Sequence, residues 1–255
     1  MDAVLALVGL PALVVACAAA LFAGLVKGMV GFAMPMLMIS GMAILLPPDI
    51  ALAGLILPTL VTNGMQALRQ GPRAAWATIR AFRVFLIVGL VALVGSAQLV
   101  TVLSPATLYL VIGLGMTAFA AMQIVGWSPR MPTPVWPLEA AVGAVAGFSG
   151  GLSGVWGPPT VAYLTARDTP KRDAVRVQGV IYGLGAVALL AAHLRSGVMR
   201  AETLPFSAAL VVPALIGMVI GQRVQDRIDQ AAFRRLTLVV LCVAGANLIR
   251  RGLVG

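Results

Sequence analysis

Apolar runs separated by short polar turns fill almost the whole chain. The runs cover roughly residues 3–23, 32–46, 51–68, 81–103, 106–126, 136–150, 155–166, 174–194, 203–221 and 232–249. A helix needs about 20 apolar residues to cross a bilayer, and the shorter runs lie beside glycines and prolines that interrupt helices. The pattern predicts an all-α polytopic membrane protein with about eight transmembrane helices. The number rises to about ten membrane elements if helices broken at glycine and proline are counted separately.

The composition supports the bilayer as the solvent of this chain. Of its 255 residues 60% are hydrophobic and 10% charged, with a mean hydropathy of +1.01, whereas soluble domains carry about 25% charged residues. We expect one integral membrane unit. The net charge of +10 is explained by the placement of basic residues in loops, and nucleic acid is excluded as a partner. No metal, cofactor or catalytic residue is predicted, because no clustered metal ligands, acid–base constellation or nucleotide-binding loop is visible.

An internal duplication is predicted from two similar stretches. "FAGLVKGMVGFAMP" at 22–35 and "VAGFSGGLSGVWGP" at 145–158 share a Gly-x3-Gly-x2-Gly-x3-Pro spacing at a constant offset of 123 residues. Between them, "SPRMPTPVWP" is the most linker-like segment of the chain. The chain therefore divides into a first repeat at 1–127, a Pro-rich linker at 128–137 and a second repeat at 138–255.

The distribution of positive charge predicts how the two repeats are oriented. If each glycine-rich region joins its flanking runs as a hairpin, loops 69–83, 127–135, 167–176 and 222–235 share one face. That face then holds most of the 18 basic residues, namely Arg69, Arg73, Arg80, Arg83, Arg130, Arg167, Lys171, Arg172, Arg176, Arg223, Arg227, Arg234 and Arg235. The positive-inside rule makes this face cytoplasmic. The repeats then have inverted topology, which is typical of secondary transporters with a midplane site made by broken helices.

The glycines and prolines of the two similar stretches have two interpretations. Small residues at this spacing allow close helix packing. A break before a proline-started half-helix instead leaves N–H groups free to bind an anion, and we favour this second interpretation. Lys27 likewise either lines a cavity or extends its ammonium to the interface. The third and eighth runs add polar residues, among them Thr59, Thr62 and Gln66. The predicted substrate-binding set is Lys27, Gly28, Gly31, Pro35, Asn63, Ser149, Gly151, Ser153, Gly154, Pro158, Gln178 and Tyr182.

These motifs resemble those of the sulfite exporter TauE/SafE family of membrane transporters. The resemblance rests on "GLVKGMVGFAMP", "GFSGGLSGVWGPP", "TPKRDAVRVQG" and "GMVIGQRVQDRIDQAAFRRL", and it covers nearly the whole chain. It implies an anion permease for sulfite, sulfonates or related sulfur anions, in a bacterial inner membrane. The glycines and prolines that it implies for the cavity are Gly28, Gly31, Pro35, Gly151, Gly154 and Pro158.

We therefore expect a transporter of small sulfur-containing anions that works by alternating access. Alternatives are a transporter or importer of another anion such as a carboxylate, a membrane-embedded enzyme, or a purely structural membrane subunit. The expected partners are the small anion, a coupling proton or Na⁺, and the lipid bilayer, and a homodimer stays open as an alternative. The absence of a buried carboxylate partner for Lys27 favours an anion over a metal cation as the substrate.

Overall fold

The computed structural model describes residues 2–42, 44–97, 105–125, 136–153, 157–195 and 198–254, and all regular elements in these ranges are α-helices. This confirms the all-α prediction, and most apolar runs coincide with a helix. The helices are α1 Asp2–Val8, α2 Leu10–Val30, α3 Met34–Met42, α4 Pro48–Leu68, α5 Pro72–Ala81, α6 Arg83–Ala97, α7 Pro105–Ile124, α8 Trp136–Ser153, α9 Gly157–Ala166, α10 Lys171–Arg195, α11 Leu204–Arg227 and α12 Gln230–Val254.

Four helices in the described ranges are long and apolar enough to cross a membrane. They are Leu10–Val30, Ile50–Leu68, Leu204–Arg227 and Gln230–Val254. The pair Pro72–Ala81 and Arg83–Ser96 would make a fifth if counted as one span, and it is bent by 74°. The expected number of about eight is therefore not confirmed.

The basic segments predicted as loops are largely helical. The segment 69–83 contains α5, which begins at Pro72, and Lys171–Arg176 form the first turns of α10. In the fourth segment, only Ile228 and Asp229 separate α11 from α12. Proline fits the first turn of a helix, and arginine and alanine are good helix formers. Hydropathy alone predicts that a helix ends where charged residues begin, although the helical backbone continues through them. The segment 127–135 lies outside the described residues.

Contacts divide the chain into two compact units, and each combines segments that are far apart in sequence. Unit 1 contains Met1–Gly71 and Gln178–Ile228, and unit 2 contains Pro72–Val177 and Asp229–Gly255. The predicted repeats, 1–127 and 138–255, are divisions of the sequence, and each contributes to both units. The inverted relation between the repeats stays a prediction, and most of the linker 128–137 lies outside the described residues.

In unit 1, α2 and α11 approach so closely that only glycine fits along their contact. A methyl group at Gly24 or Gly28 would overlap the carbonyl oxygens of Ala214 or Met218. The reverse is also true, because a methyl group at Gly221 would overlap the carbonyl oxygen of Leu25. Close backbone approach of this kind is what small residues at intervals of four provide in membrane helices. These glycines therefore hold α2 against α11.

Helix α4 contains Pro58, and its neighbour α11 compensates for the backbone hydrogen bond that this proline removes. Pro58 has no N–H to donate to the carbonyl of Gly54. The hydroxyl of Ser207 on α11 donates to that carbonyl at 3.3 Å and accepts from the N–H of Leu57 at 3.1 Å. Membrane helices tolerate proline where a neighbouring side chain satisfies the freed groups. This contact helps to fix α4 against α11 in unit 1.

In unit 2, α6 packs on α8 through glycines, and α7 packs on α12. A methyl group at Gly147 would overlap the carbonyl oxygen of Gly89, and one at Gly143 would lie 2.7 Å from that of Phe85. In the second pair, a methyl group at Gly113 would lie 2.8 Å from the carbonyl oxygen of Gly245. Both units are thus built on helix pairs that only glycine permits.

Candidate functional site

The first glycine-rich stretch contains a helix break. Gly31 ends α2 with φ 92°, and its N–H donates to the carbonyl of Lys27 at 2.7 Å. This left-handed conformation is a common helix end and suits glycine. Ala33 also has a positive φ of 72°, and α3 begins at the next residue, with Pro35 in its first turn. The first turn of α3 leaves N–H groups without intrahelical partners, so the predicted break is present.

Lys27 lies one turn before this break and is enclosed by protein. Its side chain is 2% exposed, and its Nζ donates a short hydrogen bond to Oδ1 of Asn63 on α4. Among the described side chains of unit 1, no carboxylate forms an ion pair with Lys27. Glu202 and Asp226 are instead paired with Arg200 and Arg69. The interfacial alternative required an exposed ammonium, and the structure places this ammonium against a buried amide.

Helix α4 presents a stripe of four buried polar residues to the break. Thr59, Thr62, Asn63 and Gln66 are each at most 3% exposed, and their spacing places them on one helix face. The hydroxyl of Thr62 contacts Sδ of Met34 at 3.4 Å, and Nε2 of Gln66 donates to the carbonyl of Gly31 at 3.1 Å. The sequence identified this stripe as polar, but it did not identify Gly31 as the partner of Gln66.

Helix α10 brings Gln178 to the same place. Its side-chain amide lies directly against the Cα of Gly31, where a methyl group would overlap it. Gln178 and Tyr182, one turn later, are both buried, at 1% and 5% exposure. Five of the predicted residues are therefore at or near the break in unit 1, namely Lys27, Gly31, Asn63, Gln178 and Pro35.

The other predicted glycine of the first stretch has a packing contact. Gly28 faces α11, where the carbonyl of Met218 and the Cα of Gly221 leave no room for a side chain. Gly24 behaves in the same way. The two interpretations of the glycine motif therefore apply to different glycines, because Gly24 and Gly28 pack while Gly31 ends the helix.

The predicted residues of the second stretch belong to unit 2. Ser149 is buried, and its hydroxyl donates to the carbonyl of Ala146 at 3.0 Å within α8. Gly151 and Ser153 lie in the last turn of α8, and Pro158 is the second residue of α9. Gly154 lies outside the described residues. The role of these residues in binding stays a prediction.

Unit 2 contains a buried carboxylate that the sequence analysis did not select. Glu139 is 5% exposed, and its Oε1 accepts a hydrogen bond from the backbone N–H of Phe85 at 3.3 Å. The ring of Phe85 stacks on Tyr163, whose hydroxyl is 3.3 Å from a guanidinium nitrogen of Arg167. Glu139 is near the end of an apolar run, and hydropathy places such residues at the surface. Its burial comes with the packing of α8 against α6, which no local pattern reveals.

A buried cation with an uncharged partner, beside a helix break, is suited to hold an anion. The ammonium supplies a full charge, and the N-terminus of α3 adds a partial positive charge. Together with the membrane-crossing helices, these features define the class as a helical membrane protein with a polar interior site. The family model of the sulfite exporter TauE/SafE matches residues 16–248, nearly the whole chain.

The chain therefore belongs to the sulfite exporter TauE/SafE family. It is a membrane transporter of the sulfite-exporter type and not an enzyme. Searches of curated proteins and of solved structures found no significant match.

Proposed function

We propose that this protein moves sulfite or a small organosulfonate across the bacterial inner membrane, and that the anion binds at Lys27. The observation that carries the proposal is the burial of the Lys27 ammonium, which donates a hydrogen bond to the uncharged amide of Asn63. A buried cation without a counter-ion is costly. An anion in contact with the ammonium offsets this cost, so the uncompensated charge of Lys27 increases the affinity of the site for an anion. Ionisable residues inside membrane segments commonly mark substrate pathways for this reason.

We further propose that the two sequence repeats are inverted and that transport proceeds by alternating access between them. Two helix pairs support the repeat. At the offset of 123 residues α2 corresponds to α8. Further along the chain the second repeat has a three-residue insertion, so that Gly95 of α6 corresponds to Gly221 of α11. In unit 1 α2 packs on α11, and in unit 2 α8 packs on α6, so corresponding helices pack against each other in both units. The positive-inside rule places the basic segments 69–83, 127–135, 167–176 and 222–235 in the cytoplasm.

A flux experiment tests the proposed activity. The purified full-length protein is reconstituted into liposomes, and uptake of labelled sulfite, sulfoacetate and sulfate is measured with and without a pH gradient or a Na⁺ gradient. We expect flux of sulfite that exceeds flux of sulfate and of a carboxylate control such as acetate. Acceleration by one of the gradients identifies the coupling ion. Absence of flux for every anion would refute the transporter assignment at this site.

Topology needs a separate measurement. Single cysteines introduced at Arg73 and Arg235 should react with an impermeant maleimide only after the cytoplasmic face is exposed, on a background in which Cys17 and Cys242 are replaced by serine. A cysteine at Arg200 is the matched control and should react from the outside. Labelling of the cysteines at positions 73 and 235 from opposite faces of the membrane would contradict the inverted arrangement.

A further inference from the structure

The buried amide of Gln66 has one atom whose bonding requirement the protein leaves unmet. The side chain is fully buried, and its Nε2 donates to the carbonyl of Gly31. A carbonyl only accepts, so the nitrogen must face Gly31 and the amide cannot be turned around. Its Oε1 therefore points elsewhere, and this atom has no hydrogen-bond partner among the described residues. Gln66 presents a fixed acceptor that lacks a donor.

Two further atoms around the break are in the same condition. Oγ1 of Thr59, on the same face of α4, and Oε1 of Gln178, against Gly31, are buried and have no hydrogen-bond partner in the described part of the chain. A buried hydrogen-bonding atom that is left without a partner destabilises the protein. Three such atoms beside one buried ammonium form an unusual concentration, because buried polar groups are nearly always paired.

The charge of the site also restricts the charge of the anion that it can bind. Lys27 is the buried basic side chain of unit 1 among the residues described, and it donates a hydrogen bond to the neutral amide of Asn63. One cation balances one negative charge. A dianion would bring a second charge into a buried environment without compensation, and that costs free energy.

We propose that this site selects a monoanion that carries its own hydrogen-bond donor. The negative charge of this anion binds Lys27, and its O–H or N–H donates to Oε1 of Gln66. The inference rests on the proposed function and names its substrate class. Protonated oxyanions such as hydrogen sulfite and sulfonates with a hydroxyl group meet both requirements. A fully deprotonated dianion such as sulfate meets neither, and a sulfonate without a donor meets only the first.

Two sulfonates of nearly equal size separate the requirements. Isethionate and ethanesulfonate are both monoanions, and only isethionate has a hydroxyl donor. Their affinities for the full-length protein in detergent are measured by calorimetry at one fixed pH, with sulfate as the dianion and sulfite as the reference anion. We expect isethionate to bind about tenfold more tightly than ethanesulfonate, because only isethionate satisfies the buried acceptor. Sulfate should bind more weakly than either.

Variants assign the preference to Gln66. Gln66→Met keeps the length of the side chain and removes the acceptor, so the isethionate preference should fall toward one. Thr237→Val in unit 2 is the matched control, because it also removes a buried hydroxyl without a partner among the described residues, and it should keep the tenfold preference. If Gln66→Met does not fold, Gln66→Leu removes the same acceptor with another apolar side chain and should lower the same ratio.

Each outcome decides the inference. Equal affinities in the unmodified protein, or a ratio unchanged by Gln66→Met or by its substitute Gln66→Leu, overturn it. Binding of sulfate tighter than isethionate, or binding of sulfite with no binding of isethionate, also overturns it and leaves the proposed function standing. Failure to bind or transport any of the four anions instead refutes the proposed function itself.

Discussion

The α2–α11 pair of unit 1 and the α6–α8 pair of unit 2 are packed in the same manner. A methyl group at Gly24 would overlap the carbonyl of Ala214, and one at Gly147 would overlap the carbonyl of Gly89. Gly24 and Gly147 are separated by the repeat offset of 123 residues. Both pairs bring backbones into direct contact, where only a residue without a side chain fits. The packing surface is therefore common to both units.

Buried charge distinguishes the same two pairs. Lys27 lies between Gly24 and Gly28 of α2, whereas the corresponding position of α8 is Gly150, which is buried without a charge. Conversely, Glu139 near the start of α8 corresponds to Ala16, which is fully buried. At these two pairs of corresponding positions, a buried ionisable residue of one repeat is matched by a small residue of the other.

The two charges also differ in their partners. The carboxylate of Glu139 accepts a backbone N–H of Phe85, near the start of α6, which is a stabilising arrangement at a helix N-terminus. The ammonium of Lys27 donates to an amide oxygen and is left with its charge unbalanced among the described side chains. This comparison suggests that Glu139 has a structural role and that Lys27 is placed for a ligand.

The largest expected effect comes from removing the charge of Lys27. Lys27→Met should weaken anion binding by at least about a hundredfold, because the buried counter-charge is lost. The variant should fold at least as well as the unmodified protein, since a buried ammonium is replaced by an apolar chain. The measurements are anion affinity by calorimetry and thermal unfolding in detergent.

The matched variant in unit 2 is Glu139→Gln. It removes the charge and keeps an oxygen that can accept from Phe85, so flux should stay within about twofold of the unmodified protein. A loss of flux as large as that of Lys27→Met would show that the two buried charges have equivalent roles, and the comparison would fail.

The glycine contacts should respond alike in both units. Gly28→Ala and Gly147→Ala each force a methyl group into a backbone carbonyl, and we expect each to lower the free energy of unfolding by about 1–3 kcal/mol. Apparent melting temperatures, followed by tryptophan fluorescence, measure the effect.

Two helical glycines with free space are the controls. Nothing lies within 4 Å of a methyl group at Gly64 in unit 1 or at Gly95 in unit 2. Gly64→Ala and Gly95→Ala should be neutral or stabilising by up to about 1 kcal/mol, because alanine favours the helix. A destabilised unit 1 with an unaffected unit 2 would mean that the contacts are not equivalent.

A smaller effect is expected at the helix break. Gly31→Ala places a side chain at a left-handed position, which costs about 1–2 kcal/mol, and displaces the amide of Gln178. We expect a lower melting temperature together with a several-fold loss of anion affinity. A loss of stability with unchanged affinity would separate the break from the binding site.

The smallest expected effect is at Ala33, which has a positive φ of 72°. Ala33→Gly should relieve this strain and raise the free energy of unfolding by up to about 1 kcal/mol, less the entropy that glycine loses on folding. The readout is again the melting temperature, with Gly64→Ala as a reference for changes unrelated to strain. A lower melting temperature would indicate that the methyl group of Ala33 contributes packing that outweighs the strain.

Hydropathy predicts a helix well where an apolar run fills most of its length. The run 51–68 became α4 and the run 106–126 became α7, because in a bilayer a helix satisfies its own backbone. It missed α5, whose arginines interrupt the apolar pattern without interrupting the helix. The break at Gly31 was also predictable, since glycine and proline act locally through the backbone.

Contacts between residues that are distant in sequence could not be predicted in this way. Gly24 and Gly31 have the same residue type and belong to one motif, but Gly24 contacts Ala214 of α11 and Gly31 contacts Gln66 and Gln178. A spacing pattern shows which face a residue occupies, and it does not show what covers that face. The burial of Glu139 was missed for the same reason.

The amino-acid sequence by itself determined the membrane class, the positions of the helices that coincide with apolar runs, the helix break and the family resemblance. All of these follow from hydrophobicity and from the backbone properties of glycine and proline, which act over a few neighbouring residues. Only the tertiary structure decided that Lys27 meets Asn63, that Gln66 is left with an unpaired oxygen, and that glycines of one motif have different tasks. These depend on contacts between segments distant in sequence, where the surroundings of a side chain decide whether its charge is balanced.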